Sequence, residues 1–235
     1  SHVSAEHGRR YDAVHENKVD ALIWDAFIKD LVGRQAQALA DEGAQRYLDF
    51  ACGTGRVLKV GASCFEDSLG IDISDSMLEV ARERVPSARL VQADVTRDPD
   101  VVSGDFDFVT IFRFLLNAEK PLSLAVLAWL AEHMPSGAIL VGNNHMNTFS
   151  FRGVATVISN AIFRTKLNHL SRGEATRMLE ESGFKVKEWY GYRVLPSFKG
   201  KPILGRKVQV ALERFLHSVG LGRFGSEHVF IAERI

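Results

Sequence analysis

Asp49-Phe50-Ala51-Cys52-Gly53-Thr54-Gly55 is the stretch on which the fold turns. Arg46-Tyr47-Leu48 leads into it as a short apolar strand, and Val57 to Ser63 leaves it as a helix. A strand that breaks at glycines into a helix is the opening unit of a doubly wound α/β sheet. The glycines allow the tight turn and let a ligand approach the backbone. The pattern repeats downstream. Leu69-Gly70-Ile71-Asp72 reads as a second strand, and Ser74 or Asp75 caps a helix that Pro86 stops. Arg89-Leu90-Val91-Gln92 is a third strand and Phe106 to Phe112 a fourth. Pro121 to Met134 is a helix with proline in its first turn, and Gly137 to Gly142 is a fifth strand. Such alternation with short connections predicts a parallel sheet covered by helices on both faces.

Upstream, Val19, Leu22, Ile23, Phe27 and Leu31 recur near helical spacing and predict a helix over 12–40, within an N-terminal helical cap of residues 1–45. The second half is less regular. Thr148 to Lys166 reads as helical, Ser171 caps a helix from Arg172 to Ser182, and Phe184 to Val194 reads as a strand. Pro196 to Pro202 reads as a basic loop, Ile203 to Val219 as an amphipathic helix and His228 to Arg234 as a last strand. With no repeat or linker, residues 1–235 form one expected domain, with substrate-side insertions at 146–170 and 195–225.

The chain is 46% hydrophobic and 25% charged, ordinary for a globular protein. No stretch reaches the roughly 18 apolar residues of a membrane span. Ser1 to Arg10 lack the apolar run of a secretory signal, and two cysteines are too few for a disulfide framework, so a cytoplasmic location is expected. Net charge is zero but uneven. Residues 1–150 hold 14 Lys+Arg against 22 Asp+Glu, a balance of −8, and residues 151–235 hold 15 against 7, a balance of +8. Either this is a chance asymmetry or the C-terminal part meets an anionic partner.

Three features of the glycine loop narrow its ligand. Leu58 stands where a dinucleotide fingerprint has its third glycine, so the loop suits a single carboxylate better than a pyrophosphate. Asp49, at the strand end, repels a pyrophosphate but attracts an ammonium. Asp72 ends the second strand 19 residues after Gly53, where an acid accepts hydrogen bonds from ribose hydroxyls. Together they describe an adenosyl amino acid, with the amides at Gly53 and Gly55 expected to hold its carboxylate.

Over residues 45–145 the sequence resembles the class I S-adenosylmethionine-dependent methyltransferases, and more loosely those of bacterial saccharide and natural-product pathways. Leu48 to Arg56 matches the first motif, Gly70-Ile71-Asp72-Ile73-Ser74 with Ser76-Met77-Leu78 the second, Ala93-Asp94-Val95 the third and Phe106-Asp107-Phe108-Val109 the fourth. The resemblance implies a Rossmann-like sheet of seven strands, order 3-2-1-4-5-7-6, with the last strand antiparallel. It implies S-adenosylmethionine as cofactor and S-adenosylhomocysteine as product. Asp49, Ala51, Gly53, Gly55, Asp72, Ile73, Met77, Asp94, Val95 and Phe112 are the expected cofactor contacts. Tyr11 joins them as a tyrosine that closes over the cofactor, or is a surface residue.

The acceptor should meet the carboxyl ends of the fourth and fifth strands. Arg113 stands after the fourth, and Asn143, Asn144, His145 and Asn147 after the fifth. His145 is the candidate general base, since its ordinary pKa lies near neutrality, or it satisfies loop backbone groups. Arg113 binds an acceptor carboxylate or phosphate, or pairs with an acid. No His, Cys and acid cluster has metal spacing, so no metal is expected. The expected acceptor is a hydroxyl or amine of a small molecule, a saccharide or natural-product intermediate, and anionic or lipid-linked acceptors fit the basic C-terminal half. No nucleic acid is expected, given zero net charge and no motif for extruded bases. Peripheral membrane contact through the 203–219 helix stays open, as do oligomeric state, action on RNA or protein, and a non-catalytic partner subunit with this fold.

Overall fold

The computed structural model describes residues 19–115, 117–144, 147–150, 153–154, 157–158, 162, 170–198 and 201–235. Tyr11, His145 and most of the expected 148–166 helix lie outside the described residues. The first helical element, α1, runs through Val19–Ile23, a π-helical turn Trp24–Ile28, and Lys29–Asp41. β1 (Arg46–Phe50), α2 (Leu58–Gly61), β2 (Asp67–Asp72), α3 (Asp75–Arg84) and β3 (Arg89–Gln92) follow. Then come β4 (Phe108–Ile111), α4 (Lys120–Glu132), β5 (Ile139–Asn144), α5 (Arg172–Glu181) and β6 (Phe184–Tyr192). α6 (Arg206–Ser218), a 3₁₀ turn (Leu221–Phe224) and β7 (Glu227–Arg234) close the chain.

The sheet order is β3-β2-β1-β4-β5-β7-β6, as expected. β1 to β5 pair in parallel, and β7 runs antiparallel to both β5 and β6. Both faces are covered, which is why the strands read as apolar runs. On one face Leu48, Phe50, Val109, Leu140 and Phe230 pack under α4 (Val126, Leu127, Leu130) and α5 (Met178, Leu179). On the other, Tyr47, Phe108, Val141, Val229 and Ile231 pack under α1 (Leu31, Val32, Ala36) and Leu58 of α2. Here the rings of Tyr47 and Phe108 stack at 5.2 Å, with Phe65 at 5.8 Å from Tyr47.

Element ends follow local chemistry. Ser171 and Glu174 form a reciprocal capping box that starts α5. Pro121 sits in the first turn of α4. Some expectations shift. The fourth strand starts at Phe108 because Asp107 turns its carboxylate back to accept from the Gln45 and Arg46 amides. β5 runs to Asn144, so Asn143 and Asn144 belong to the strand, not to the loop after it. Part of the expected 196–202 loop is a small antiparallel ribbon, Ser197–Phe198 with Lys201–Pro202.

α6 departs most from expectation. An amphipathic helix normally docks its apolar face. α6 buries Gln209 and Glu213 instead, while Val208, Leu212 and Phe215 stay exposed. Glu213 explains part of this, since its carboxylate accepts from the Val194 and Leu195 amides after β6. Behind α6, the 3₁₀ turn meets β6 backbone to backbone. A Cβ on Gly191 would fall on the Gly222 carbonyl, and one on Gly225 on the Tyr192 carbonyl. Among the described residues no helix is long and apolar enough to cross a membrane.

Candidate active site

Asp49, one residue before the end of β1, is almost fully buried. Thr110 of β4, its register partner, donates from Oγ1 to Asp49 Oδ1 at 2.7 Å. Having given its proton there, Thr110 takes its own hydrogen bond from the Tyr47 hydroxyl, also at 2.7 Å. Asp49 Oδ2 makes no hydrogen bond, although the Leu58 amide is near enough to favour its charge. Burial dominates and pushes the carboxyl up to about 7, against the Thr110 bond that lowers it. This acid is therefore half protonated near neutrality and waits for a cation.

The glycine loop that follows is built from left-handed residues, with Ala51, Gly53 and Gly55 at φ 55°, 52° and 74°. Gly55 is pressed on α3, where a Cβ would lie 3.2 Å from that of Ala81. Gly53 faces open space, with no atom within 4 Å of an added Cβ. Arg84, from the last turn of α3, donates to Thr54 O at 2.8 Å and to its Oγ1 at 2.9 Å, fixing the loop. The two amides of the expected carboxylate cradle have partners within the loop. The Gly53 amide donates to Asp72 Oδ2 (2.8 Å) and the Gly55 amide to Cys52 O (2.9 Å). Both bonds shape the loop.

Asp72 ends β2, and its other oxygen accepts from the Ser74 amide at 2.9 Å. Each carboxylate oxygen has a second lone pair for a hydroxyl. Ile73 beside it is 71% exposed, an apolar platform. Met77 lies in the first turn of α3. Asp94 accepts from Thr96 Oγ1 at 2.6 Å, which holds its carboxyl below the ordinary range and keeps it ionised. Val95 is buried in the core under the sheet, so only its backbone can face a ligand. The Cys52 thiol is pushed far up by burial and by Asp49 and Asp72, which suits packing and not nucleophilic attack.

Past the loop, one crevice is lined by Asp49, Trp24, Arg56, Phe112, Arg113 and Glu227. Trp24 comes from the π turn of α1 and meets Phe112 edge-on at 5.9 Å. The Arg56 guanidinium sits over the Trp24 ring at 5.5 Å. Arg113 has φ 59°, a strained value for a side-chain-bearing residue. The Asn143 carboxamide holds it there, accepting from the Arg113 amide at 2.7 Å while donating to Glu227 Oε1 at 2.8 Å. β7 thus brings a nearly buried carboxylate to the acceptor end of the crevice.

The structure brings Asp49, Ala51, Gly53, Phe112 and Arg113 to this crevice, and sets Gly55, Asp72, Ile73, Met77 and Asp94 along the same sheet edge. Sequence reasoning missed Trp24, Thr110, Arg84 and Glu227. Trp24 was hidden in a helical pattern, and a lone acid before an apolar strand carries no signal of its own. The orphaned, buried Asp49 Oδ2 fits an ammonium, and the space over Gly53 fits a ligand in backbone contact. Asp72, Ile73 and Asp94 fit a ribose and a purine in turn. These are the parts of S-adenosylmethionine.

Comparison with known proteins agrees. Residues 48–137 match the profile of a methyltransferase domain family. A dTDP-3-amino-3,6-dideoxy-alpha-D-glucopyranose N,N-dimethyltransferase of Streptomyces fradiae is 32% identical over 183 residues, 74% of this chain and 69% of that protein. A dTDP-3-amino-3,4,6-trideoxy-alpha-D-glucopyranose N,N-dimethyltransferase of Streptomyces venezuelae is 34% identical over 142 residues. That match covers 57% of this chain and only 59% of the relative's length. Among solved structures, an amino pentose methyltransferase from Micromonospora echinaspora superimposes with a TM-score of 0.57 at 18% identity, covering 88% of this chain and 90% of that one. Magnesium protoporphyrin IX methyltransferase from Synechocystis, with bound SAH, gives 0.58 at 15% identity, covering 88% and 83%. These two share the fold. The chain belongs to the class I S-adenosylmethionine-dependent methyltransferases.

Proposed function

We propose that the protein methylates an amine on a small saccharide-type acceptor. The observation that carries this reading is Glu227, a carboxylate that lines the crevice beside the cofactor loop. A free amine is protonated at neutral pH and cannot attack until it loses that proton. Glu227 is placed to bind the ammonium and to accept the proton, and Asn143 fixes its orientation. The cofactor, when bound, supplies a methyl on a sulfonium. The amine nitrogen forms the new N–C bond as the S–C bond breaks, and a neutral thioether leaves. The work of the chain is alignment and exclusion of water. Asp49 holds the cofactor ammonium, Asp72 the ribose, and Ile73, Met77, Asp94 and Val95 the adenine, with Tyr11 as a cover. Trp24 and Phe112 wall the crevice, and Arg113 takes an anionic group of the acceptor. The relatives named for amino-sugar N,N-dimethylation support the acceptor class. His145 is the second candidate for the proton. Retained turnover in His145→Ala assigns the proton to Glu227. The free thiols Cys52 and Cys64 fit a reducing compartment, and we place the reaction in the cytoplasm.

The test is a panel of nucleotide-linked amino sugars and their hydroxyl counterparts, incubated with S-adenosylmethionine and read by mass spectrometry. Amino sugars should gain one or two methyl groups and hydroxyl counterparts none. Methylation of the hydroxyl series alone refutes the reading. A second reading, a lipid-linked acceptor met at a membrane surface, is favoured by one observation. The exposed Val208, Leu212 and Phe215 stand on α6 with Lys207 and Arg214. Co-sedimentation with anionic vesicles tests it, and absence of binding removes it.

A further inference from the structure

Across β7 from the crevice lies a second pocket. Glu227 and His228 are neighbours on one strand, so their side chains leave opposite faces of the sheet. The second pocket is lined by His228, Arg172, Arg223, His217, Trp189 and Gly191, with room for about 160 Å³. No carboxylate is among its described lining residues. His228 is only 2% exposed, and neither ring nitrogen makes a hydrogen bond, although the Gly222 and Arg223 carbonyls are close enough to favour its proton. Burial and then Arg172 push this histidine down to about 4, so near neutrality the ring is uncharged and keeps one N–H to donate. Arg172 lies over the Trp189 ring at 5.3 Å, and burial lowers its pKa. Two arginines with no acid among the described lining residues, beside a buried polar ring whose nitrogens make no hydrogen bond, suit a ligand that is anionic and accepts an N–H. In sequence, Arg172 falls near the end of a stretch from Met134 to Gly173 that holds no Asp or Glu.

We propose that this pocket is an oxyanion site that binds a phosphate group, with Arg172 and Arg223 supplying charge and His228 a buried N–H. Arginine suits the role because its planar fork of donors matches phosphate oxygens. The site lies at the same sheet edge as the crevice, since His228 pairs with Asn144 at the end of β5 and with Gly191 near the end of β6. The phosphate is carried by the acceptor or by a free anion, and the inference holds for either source. It does not depend on the acceptor being an amine.

The test uses the whole chain and three probes: inorganic phosphate, pyrophosphate and thymidine diphosphate. Calorimetry should show saturable binding of at least one, weakened tenfold or more in Arg223→Ala and in His228→Gln. S-adenosylhomocysteine affinity should be unchanged in both. Arg172→Lys, which keeps charge without the fork, should weaken binding less than Arg172→Ala. In histidine NMR titrations the His228 signal should titrate at higher pH with the probe than without it. Thymidine diphosphate bound tenfold more tightly than phosphate, through the same residues, assigns the phosphate to the acceptor. Equal binding assigns it to a free anion. No saturable binding of any probe, or binding that ignores substitution at all three positions, overturns the site.

Discussion

Asp49→Asn, read against pH, probes the cofactor site most directly. With its carboxyl pushed up to about 7 by burial, Asp49 is largely protonated at pH 6 in the free protein. A ligand ammonium needs the ionised form, so binding must expel that proton. The apparent dissociation constant then scales as one plus the ratio of protonated to ionised acid. Affinity for S-adenosylhomocysteine should fall roughly eightfold from pH 7.5 to pH 6, about 1.3 kcal/mol, with close to one proton released at pH 6. Calorimetry in two buffers of different ionisation enthalpy measures both numbers. Asp49→Asn should bind more weakly throughout and lose the slope, and because its ligand titrates identically it is the control. The same acid carries a stability prediction. Its folded pKa lies above the unfolded value, so the native state holds an extra proton between pH ~4 and ~7 and stability falls as pH rises through that window. The cost above pH 7 reaches about 4 kcal/mol. Asn should recover part of it in ligand-free protein, less what the buried amide loses where Oδ2 had no partner. A flat affinity profile, or an unchanged slope in Asp49→Asn, would refute the reasoning.

Gly53→Ala and Gly55→Ala should separate binding from folding. Both carry left-handed strain of about 1 kcal/mol, but only Gly55 also meets Ala81. Thermal unfolding should show the larger loss for Gly55→Ala, while Gly53→Ala should lose cofactor affinity beyond its small loss of stability. Glu227→Gln should lower kcat/KM for an amine acceptor at least tenfold and leave the S-adenosylhomocysteine Kd unchanged. An equal effect on both would place Glu227 in folding of the loop instead. Phe108→Ala removes one of three mutually packed rings, the others being Tyr47 and Phe65, and should cost about 3–5 kcal/mol in denaturant unfolding.

The first five strands and their order are legible because both faces of each strand are buried, which writes itself as apolar runs between turn residues. The cofactor edge is legible for a related reason. Asp49, Gly53 and Asp72 are set by local backbone chemistry within a short span. The acceptor end is not local. Glu227 and Thr110 reach the site through register, β7 against β5 and β4 against β1. Trp24 reaches it because a π turn resets the helical phase of α1. α6 misled for the opposite reason, since its amphipathic pattern is real but Glu213 docks for its hydrogen bonds to loop amides.

The glycines behind β7 guard more than shape. Gly191 and Gly225 let main chain touch main chain where β6, the 3₁₀ turn and the start of β7 converge. A strand that slipped by one residue there would turn every side chain to the other face. Glu227 would enter the pocket of Arg172 and Arg223, and His228 would turn toward the crevice, changing the chemistry of both at once. The two pockets on this sheet edge are therefore kept distinct by a bare stretch of backbone, part of which, Gly191, also walls the second of them.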